Sequence, residues 1–276
     1  MTRYIRYMIR IFDYWDRFVD RWYNGTMKAD MLTKNCEWSD PCSIPLYNDK
    51  IGLSYSYDFL PEPWWGWNPE RKLPLHSVVI NYNPGSGGIV QHRNCIAYSG
   101  SYSGIVNGGI LPATEKWHYS KRALPVLRAL ESLNYISGPY SIWNHLSIEV
   151  LPWHTKTAND NYRKYITHGS NAIQIYETVF MFAAEASSFI QNTKLKDKVI
   201  VKMNESNIAF VLKALAGVGY TSKITVPVTS FPGGDGKFLE FMIDHLPHTK
   251  FICIWGSKSR NNFPGKRAME WILSNI

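Results

Sequence analysis

Short runs rich in β-branched residues alternate with helical patterns along most of this chain, and this alternation constrains the fold more than any other feature. It predicts strand–helix–strand units, in which the strands are parallel and helices pack on the sheet. The clearest strands are residues 77–82, 146–151, 199–203 and 251–255, which we expect to be neighbours. We therefore predict an α/β fold with three αβα layers, a central, mostly parallel sheet of four to five strands, and one domain over residues 1–276.

Helical periodicity predicts the elements around these strands. Residues 3–23 place apolar side chains on one face and Arg and Asp on the other. A basic amphipathic helix can bind a membrane surface, but the acidic residues favour packing on the domain. Further helices are predicted at residues 113–133 (with a break or kink at Pro125), 172–191, 206–216, 238–246 and after residue 262, and an extra strand at 223–228.

A long segment before the first strand is rich in Pro, Trp, Asn and Asp and shows little periodicity. It contains Trp64, Trp65 and Trp67. Long ordered loops often carry function, so these rings could form the wall of a binding site. Alternatively, they cover the core.

The composition is that of a globular, basic and aromatic protein, with 45% hydrophobic and 19% charged residues and a net charge of +8. Lys and Arg bind phosphates and aromatic rings stack on bases, so this composition suits a nucleic-acid partner. A basic protein without such a partner is the alternative.

The cysteine pattern argues against a zinc ribbon or an iron–sulfur cluster, because no C-x-x-C pair occurs. It indicates free thiols in a reducing compartment. The N-terminus lacks the apolar core of a signal peptide, and polar residues interrupt the apolar window at 173–190. We expect a cytoplasmic protein without a membrane partner. The four cysteines are Cys36, Cys42, Cys95 and Cys253.

Three predicted strands run into loops at residues 83–91, 149–154 and 256–262. Because the carboxyl ends of parallel strands share one edge, these loops can converge on a single cleft. Glycines in the first loop allow backbone N–H groups to approach a ligand closely. Alternatively, the first loop is an ordinary turn that follows a strand and has no role in binding or catalysis.

The first loop reads Asn83-Pro84-Gly85, with Gly88 and Gln91 following, and it resembles the first motif of the uracil-DNA glycosylase superfamily. The single-strand-selective monofunctional branch has the same Asn-Pro-Gly. In addition, Glu149 and Pro152 fall where that branch has Asn-x-x-Pro. The later Ser-Arg-Asn at 259–261 is similar to the end of its His-Pro-Ser-Pro-Arg-Asn motif.

The resemblance implies a DNA glycosylase that hydrolyses the N-glycosidic bond of a flipped, damaged or deaminated base. We expect no cofactor and no metal, single- or double-stranded DNA as the partner, and a monomeric protein. Asn83 would orient the attacking water. Pro84, Gly85 and Gly88 would form the floor of the pocket, and Gln91 would form a hydrogen bond near the base or the flanking backbone.

The resemblance also implies a DNA-binding loop. Arg260 and its neighbours Lys258, Ser259 and Asn261 would enter the duplex where the base has left, and Tyr98 is a candidate for stacking on the base. A basic face that includes Lys258, Arg260 and Lys266 would hold the phosphates.

The chain departs from the family pattern at two positions. Residues 255–257, Trp-Gly-Ser, stand where the last motif begins with a His that stabilises negative charge on the leaving base. Glu149 replaces the Asn that reads uracil. Since a carboxylate only accepts hydrogen bonds, Glu149 favours a base with an amino or imino donor over uracil. A local Arg or Lys is the alternative partner for Glu149.

Two other functions stay open: a non-catalytic nucleic-acid or nucleobase-binding member of the same fold, and a small-molecule hydrolase with an anion pocket at the strand ends. Zinc binding by His145 and His154 is disfavoured because no carboxylate or thiol cluster accompanies them. Residues 233–236, Gly-Gly-Asp-Gly, lack the following G-K-[ST] of a phosphate-binding loop. Ser257 and Ser259 lack the setting of a nucleophile elbow.

Overall fold

The computed structural model describes residues 3–23, 62–82, 122–152, 166–167, 169–232, 236–256 and 266–275. In chain order the strands are β1 (Trp64–Gly66), β2 (Ser77–Asn81), β3 (His145–Glu149), β4 (Lys198–Lys202), β5 (Ser222–Ser230), β6 (Gly236–Ile243) and β7 (Lys250–Gly256). The helices are α1 (Arg3–Tyr23), α2 (Leu124–Ser132), α3 (Gly169–Ile175), α4 (Phe182–Ser187), α5 (Glu205–Ala216) and α6 (Lys266–Asn275). A π-helical segment, Tyr176–Met181, joins α3 to α4, and short 3₁₀ helices cover Pro69–Arg71 and Ile142–Asn144.

The fold is α/β, and the strands form one sheet in the order β1-β3-β2-β4-β7-β6-β5. The four central strands, β3, β2, β4 and β7, are neighbours and run parallel to one another, which confirms the predicted parallel set. However, β1 is antiparallel to β3, and β6 and β5 extend the other end of the sheet in antiparallel fashion. The sheet is therefore mixed and seven-stranded, and the prediction of a mostly parallel sheet of four to five strands is wrong.

The segment predicted as a helix at residues 238–246 is the strand β6, and the prediction is wrong there. This strand lies between β5 and β7, which supply hydrogen-bond partners on both edges. Phe241 stacks on Phe251 of β7 with ring centroids 5.2 Å apart. Since side chains on both faces of β6 are buried, the strand lacks the polar–apolar alternation that marks a half-exposed strand. The extra strand predicted at 223–228 is confirmed as β5.

The tryptophan-rich segment contributes to the core. Trp64, Trp65 and Trp67 are buried, so the alternative that these rings cover the core is confirmed. Two of the tryptophans belong to β1, which pairs with β3. The strand ends at Gly66, which has a φ of +100°, and a Cβ there would overlap the carbonyl oxygen of His145. Only glycine fits this position.

The N-terminal helix is confirmed, and it packs on the domain through its apolar face. Its Phe12 ring lies 4.6 Å from that of Trp64 and 5.3 Å from that of Phe182 of α4. Helices predicted at 172–191 and 206–216 and at the C-terminus are also confirmed. Pro125 falls in the first turn of α2, where its missing N–H costs no helical hydrogen bond, so it starts the helix instead of breaking it. Part of the predicted helix at 113–133 lies outside the described residues.

None of the helices described here is both long enough and apolar enough to cross a membrane.

Candidate functional site

Three neighbouring parallel strands end in a polar residue at the same level. Asn81, the last residue of β2, is in register with Glu149 at the end of β3 and with Lys202 at the end of β4. Since neighbouring strands lie about 4.8 Å apart, the three Cα atoms form a short row, and their side chains point to the same face of the sheet. We call Glu149, Asn81 and Lys202 the edge row.

Glu149 forms a buried ion pair with Arg122, which precedes α2. The Nη1 atom of Arg122 donates a hydrogen bond to Oε1 of Glu149. Arg122 is 4% exposed and Glu149 is 1% exposed, so each charge depends on the other for compensation in this setting. The alternative stated for Glu149, a local arginine, is therefore present. Its other oxygen, Oε2, is buried and has no hydrogen-bond partner in the described part of the chain.

Asn81, the register partner of Glu149, presents a second buried acceptor. Its Nδ2 donates to Oγ of Ser147 over 2.7 Å, which fixes the orientation of the amide. Its Oδ1 is buried and, among the residues described, meets no donor. A buried acceptor without a donor costs roughly 1–3 kcal/mol. Two such acceptors on residues in direct register form an arrangement that a ligand with neighbouring N–H groups would satisfy.

Lys202 completes the row on the side of β4. The side chain is partly buried. Burial, with a further contribution from the positive charge of Arg122, lowers the pKa of Lys202 from 10.5 to about 7. Near neutral pH the amine therefore exists in both its charged and its neutral form, as suits a group that gives and takes protons.

The loops predicted to carry chemistry begin at the same edge of the sheet. The amides of Val150 and Leu151 donate to the carbonyl oxygens of Asn81 and Tyr82, each over 2.9 Å. The chain therefore continues from β2 and β3 side by side. Strand β7 ends at Gly256 on this edge, separated from β2 only by β4. Strand β7 thus lies two strand positions, roughly 10 Å, from β2 in the sheet.

Of the site residues predicted from the sequence, Glu149 is described, and the structure places it in the edge row. The roles of the others stay predictions, because these residues lie outside the described part of the chain: Asn83, Pro84, Gly85, Gly88, Gln91, Tyr98, Lys258, Ser259, Arg260 and Asn261.

Sequence reasoning missed Asn81, Lys202 and Arg122. A signal existed for the first two, since each follows directly on a run of β-branched residues. That Asn81, Glu149 and Lys202 lie side by side depends on the register in which the strands pair, and the sequence alone does not give this register. No signal marks Arg122, which contacts Glu149 across 27 positions of the chain.

Other reactive groups have structural partners. His145, at the amino end of β3, lies 2.8 Å from Ser77 Oγ through its Nδ1. Within the described ranges, no group of three or more His, Cys, Asp or Glu is arranged to hold a metal ion. Cys253 is buried and its thiol donates to the carbonyl oxygen of Met203. Burial raises the pKa of this thiol, which disfavours a nucleophilic role.

An open cavity of about 900 Å³ lies at the opposite edge of the parallel strands. Its lining comes from the segments that precede β2, β3 and β4, and includes His76, Tyr135 and Tyr140. The cavity contains no residue of the edge row. In open α/β sheets ligands bind beyond the carboxyl ends of the strands, so we place the candidate site at the edge row.

No protein-family model, curated protein or solved structure matches this chain. The resemblance to the uracil-DNA glycosylase superfamily therefore rests on the motif residues and their order.

Proposed function

We propose that this protein is a DNA glycosylase-like hydrolase, which binds an extruded base at the edge row and hydrolyses its N-glycosidic bond. The observation that carries the proposal is the pair of buried acceptors, Glu149 Oε2 and Asn81 Oδ1, which lack a donor among the described residues. They lie at the edge from which the Asn-Pro-Gly segment continues.

The two acceptors define the class of base. A carboxylate oxygen and an amide oxygen both accept hydrogen bonds, so they select a base with two neighbouring donors. Guanine and its damaged forms carry a ring N1–H beside an exocyclic amino group. Uracil and hypoxanthine offer a single N–H on the corresponding edge. We therefore expect modified guanines as substrates in preference to uracil.

The remaining roles follow the family resemblance. Asn83 orients the water, and the loop with Arg260 fills the gap in the DNA. The αβα layering of the superfamily belongs to the same proposal, and adjacent residues of β7 support it. Phe251 contacts Phe180 from the π-helical segment, with centroids 5.5 Å apart, whereas Ile252 lines a small cavity with Leu130 of α2. Because adjacent strand residues point to opposite faces, these two contacts support helices on both sides of β7.

The test is base release from oligonucleotides that carry 7-methylguanine, 8-oxoguanine, hypoxanthine or uracil, scored as alkali-sensitive abasic sites. We expect release of the two guanine derivatives and much slower release of the others. Asn83→Ala should abolish release yet leave oligonucleotide binding nearly intact, because phosphate contacts dominate affinity. If the wild type binds but releases no base, the protein is a binder without this activity. Absence of binding at low salt would remove every nucleic-acid function.

A second function is favoured by the two basic residues at the row, Arg122 and Lys202. Together they could hold a small anionic substrate, as expected for a hydrolase with an anion pocket at the strand ends. Turnover of a phosphate or carboxylate ester, inhibited by inorganic phosphate and insensitive to added oligonucleotide, would favour this function over the glycosylase.

A further inference from the structure

When the base is neutral before cleavage, the proposed reaction places negative charge on it as it departs, and the histidine that stabilises this charge in the family does not stand at the corresponding position of this chain. Trp255 and Gly256 occupy the end of β7 where that histidine would stand. A leaving base that departs without protonation or charge stabilisation is a poor leaving group, so another residue must supply this function if the proposed reaction occurs.

Lys202 lies where such a residue is needed. Its strand, β4, lies between β2, which leads into the Asn-Pro-Gly segment, and β7, which leads into the last motif. Lys202 is in register with Asn81, so its side chain shares a face with the two acceptors assigned to the base. A base held by Glu149 and Asn81 would therefore lie within reach of the lysine amine.

We propose that Lys202 is the general acid of the reaction, and that it protonates the leaving base. As the bond between C1′ and the base nitrogen breaks, its electron pair leaves with the base. The ammonium group of Lys202 donates a proton to the base, which departs neutral. Water adds its oxygen to C1′, and the proton lost from that water returns to the lysine amine. The sum is hydrolysis of the N-glycosidic bond without any further reactant.

The chemistry of the neighbouring charged groups supports this assignment. Among the described residues, these groups include Arg122, which precedes α2, and Glu149 on β3. Arg122 keeps its proton at all relevant pH values and is paired with Glu149. Lys202 has its pKa lowered to about 7 by burial and by the charge of Arg122, close to the optimum for a proton donor at neutral pH.

Two damaged bases, 7-methylguanine and 8-oxoguanine, present the same hydrogen-bond donors and differ in their need for a proton when they leave. In 7-methylguanine the ring already carries a positive charge, so the base departs neutral without a proton. In 8-oxoguanine the base is neutral before cleavage, and protonation assists its departure. A general acid therefore accelerates release of 8-oxoguanine and contributes little to release of 7-methylguanine.

The experiment measures single-turnover release of both bases by the wild type, Lys202→Met and Lys202→Arg. Lys198→Met is the control, since Lys198 lies on the same strand and face at the opposite edge of the sheet. We expect Lys202→Met to slow 8-oxoguanine release by on the order of 10²-fold or more and to change 7-methylguanine release little. Lys202→Arg should also be slow on 8-oxoguanine, because arginine keeps the charge and does not transfer the proton.

The pH profile separates proton donation from a structural role. For the wild type, the rate of 8-oxoguanine release should fall about tenfold per pH unit above pH 7, and both Lys202 variants should lose this dependence. Equal slowing of both lesions, or a wild-type rate that is independent of pH, would overturn the assignment. The inference rests on the proposed function. If the wild type releases neither lesion, both fall; if it releases them and Lys202 variants behave like Lys198→Met, only the inference falls.

Discussion

Replacing Lys202 by methionine should change the way in which the stability of the protein depends on pH. In the folded protein burial lowers the pKa of Lys202 from 10.5 to about 7. Between these values the unfolded chain binds a proton at this residue that the folded chain does not. The free energy of unfolding of the wild type therefore rises with pH in this window, as far as Lys202 is concerned. Below pH 7 and above pH 10.5 the residue contributes no slope.

The size of the effect follows from the linkage of one proton. A full difference of one proton changes the free energy of unfolding by about 1.4 kcal/mol per pH unit. Lys202 is only partly buried, and screening by solvent reduces the pKa shift, so this slope applies over a narrower pH window than the full interval from 7 to 10.5. The variant Lys202→Met has no titrating group at this position, so its free energy of unfolding lacks this dependence on pH. The variant should be more stable than the wild type at pH 7, and its advantage should shrink as the pH rises towards 10.

The assay is urea unfolding of the wild type and Lys202→Met at several pH values between 6.5 and 9.5. Lys213→Met serves as a control, because Lys213 is exposed on α5 and its replacement also removes one positive charge. The difference in unfolding free energy between wild type and Lys202→Met should change steadily across this range, and the control should not show this change. Parallel curves for wild type and Lys202→Met would refute the argument that burial depresses this pKa.

Three further predictions test the ion pair, the β1 turn and the DNA-binding loop. Arg122→Met leaves Glu149 buried without its partner and should cost about 3–5 kcal/mol in urea unfolding, whereas replacing both residues by apolar ones should restore most of the loss. Gly66→Ala should lower the melting temperature more than Gly219→Ala, because both glycines have positive φ but only at Gly66 would a Cβ meet the backbone. Arg260→Ala should reduce the slope of log Kd against log salt for an oligonucleotide by about 1 if this side chain binds a phosphate.

The parallel centre of the sheet was predictable because β2, β4 and β7 are runs of β-branched or aromatic residues and the strands alternate with helical patterns along the chain. Strand β6 was not, since burial of both its faces by neighbouring strands and rings removes the alternation that would distinguish it from a helix. Strand β1 has only three residues, and it is recognised as a strand only through its pairing with β3. This pairing joins distant parts of the chain, so the local sequence does not predict it.

The candidate site was predictable to a similar extent. Glu149 stood out because, with Pro152, it falls where the family that the chain resembles has Asn-x-x-Pro. Asn81 and Lys202 are the last residues of their strands, but only the register of three strands shows that they are neighbours of Glu149. The burial that lowers the pKa of Lys202 and the pairing of Glu149 with Arg122 both arise from tertiary packing, which no local pattern specifies.

The most direct test of the central claim is the affinity of the protein for guanosine and inosine, measured by isothermal titration calorimetry. These nucleosides differ only in the exocyclic amino group. If Glu149 and Asn81 receive two neighbouring donors, guanosine should bind roughly tenfold more tightly than inosine, and Asn81→Leu should lose the difference. Equal affinities for the two nucleosides in the wild type, or binding of neither, would contradict the claim that the edge row recognises a base.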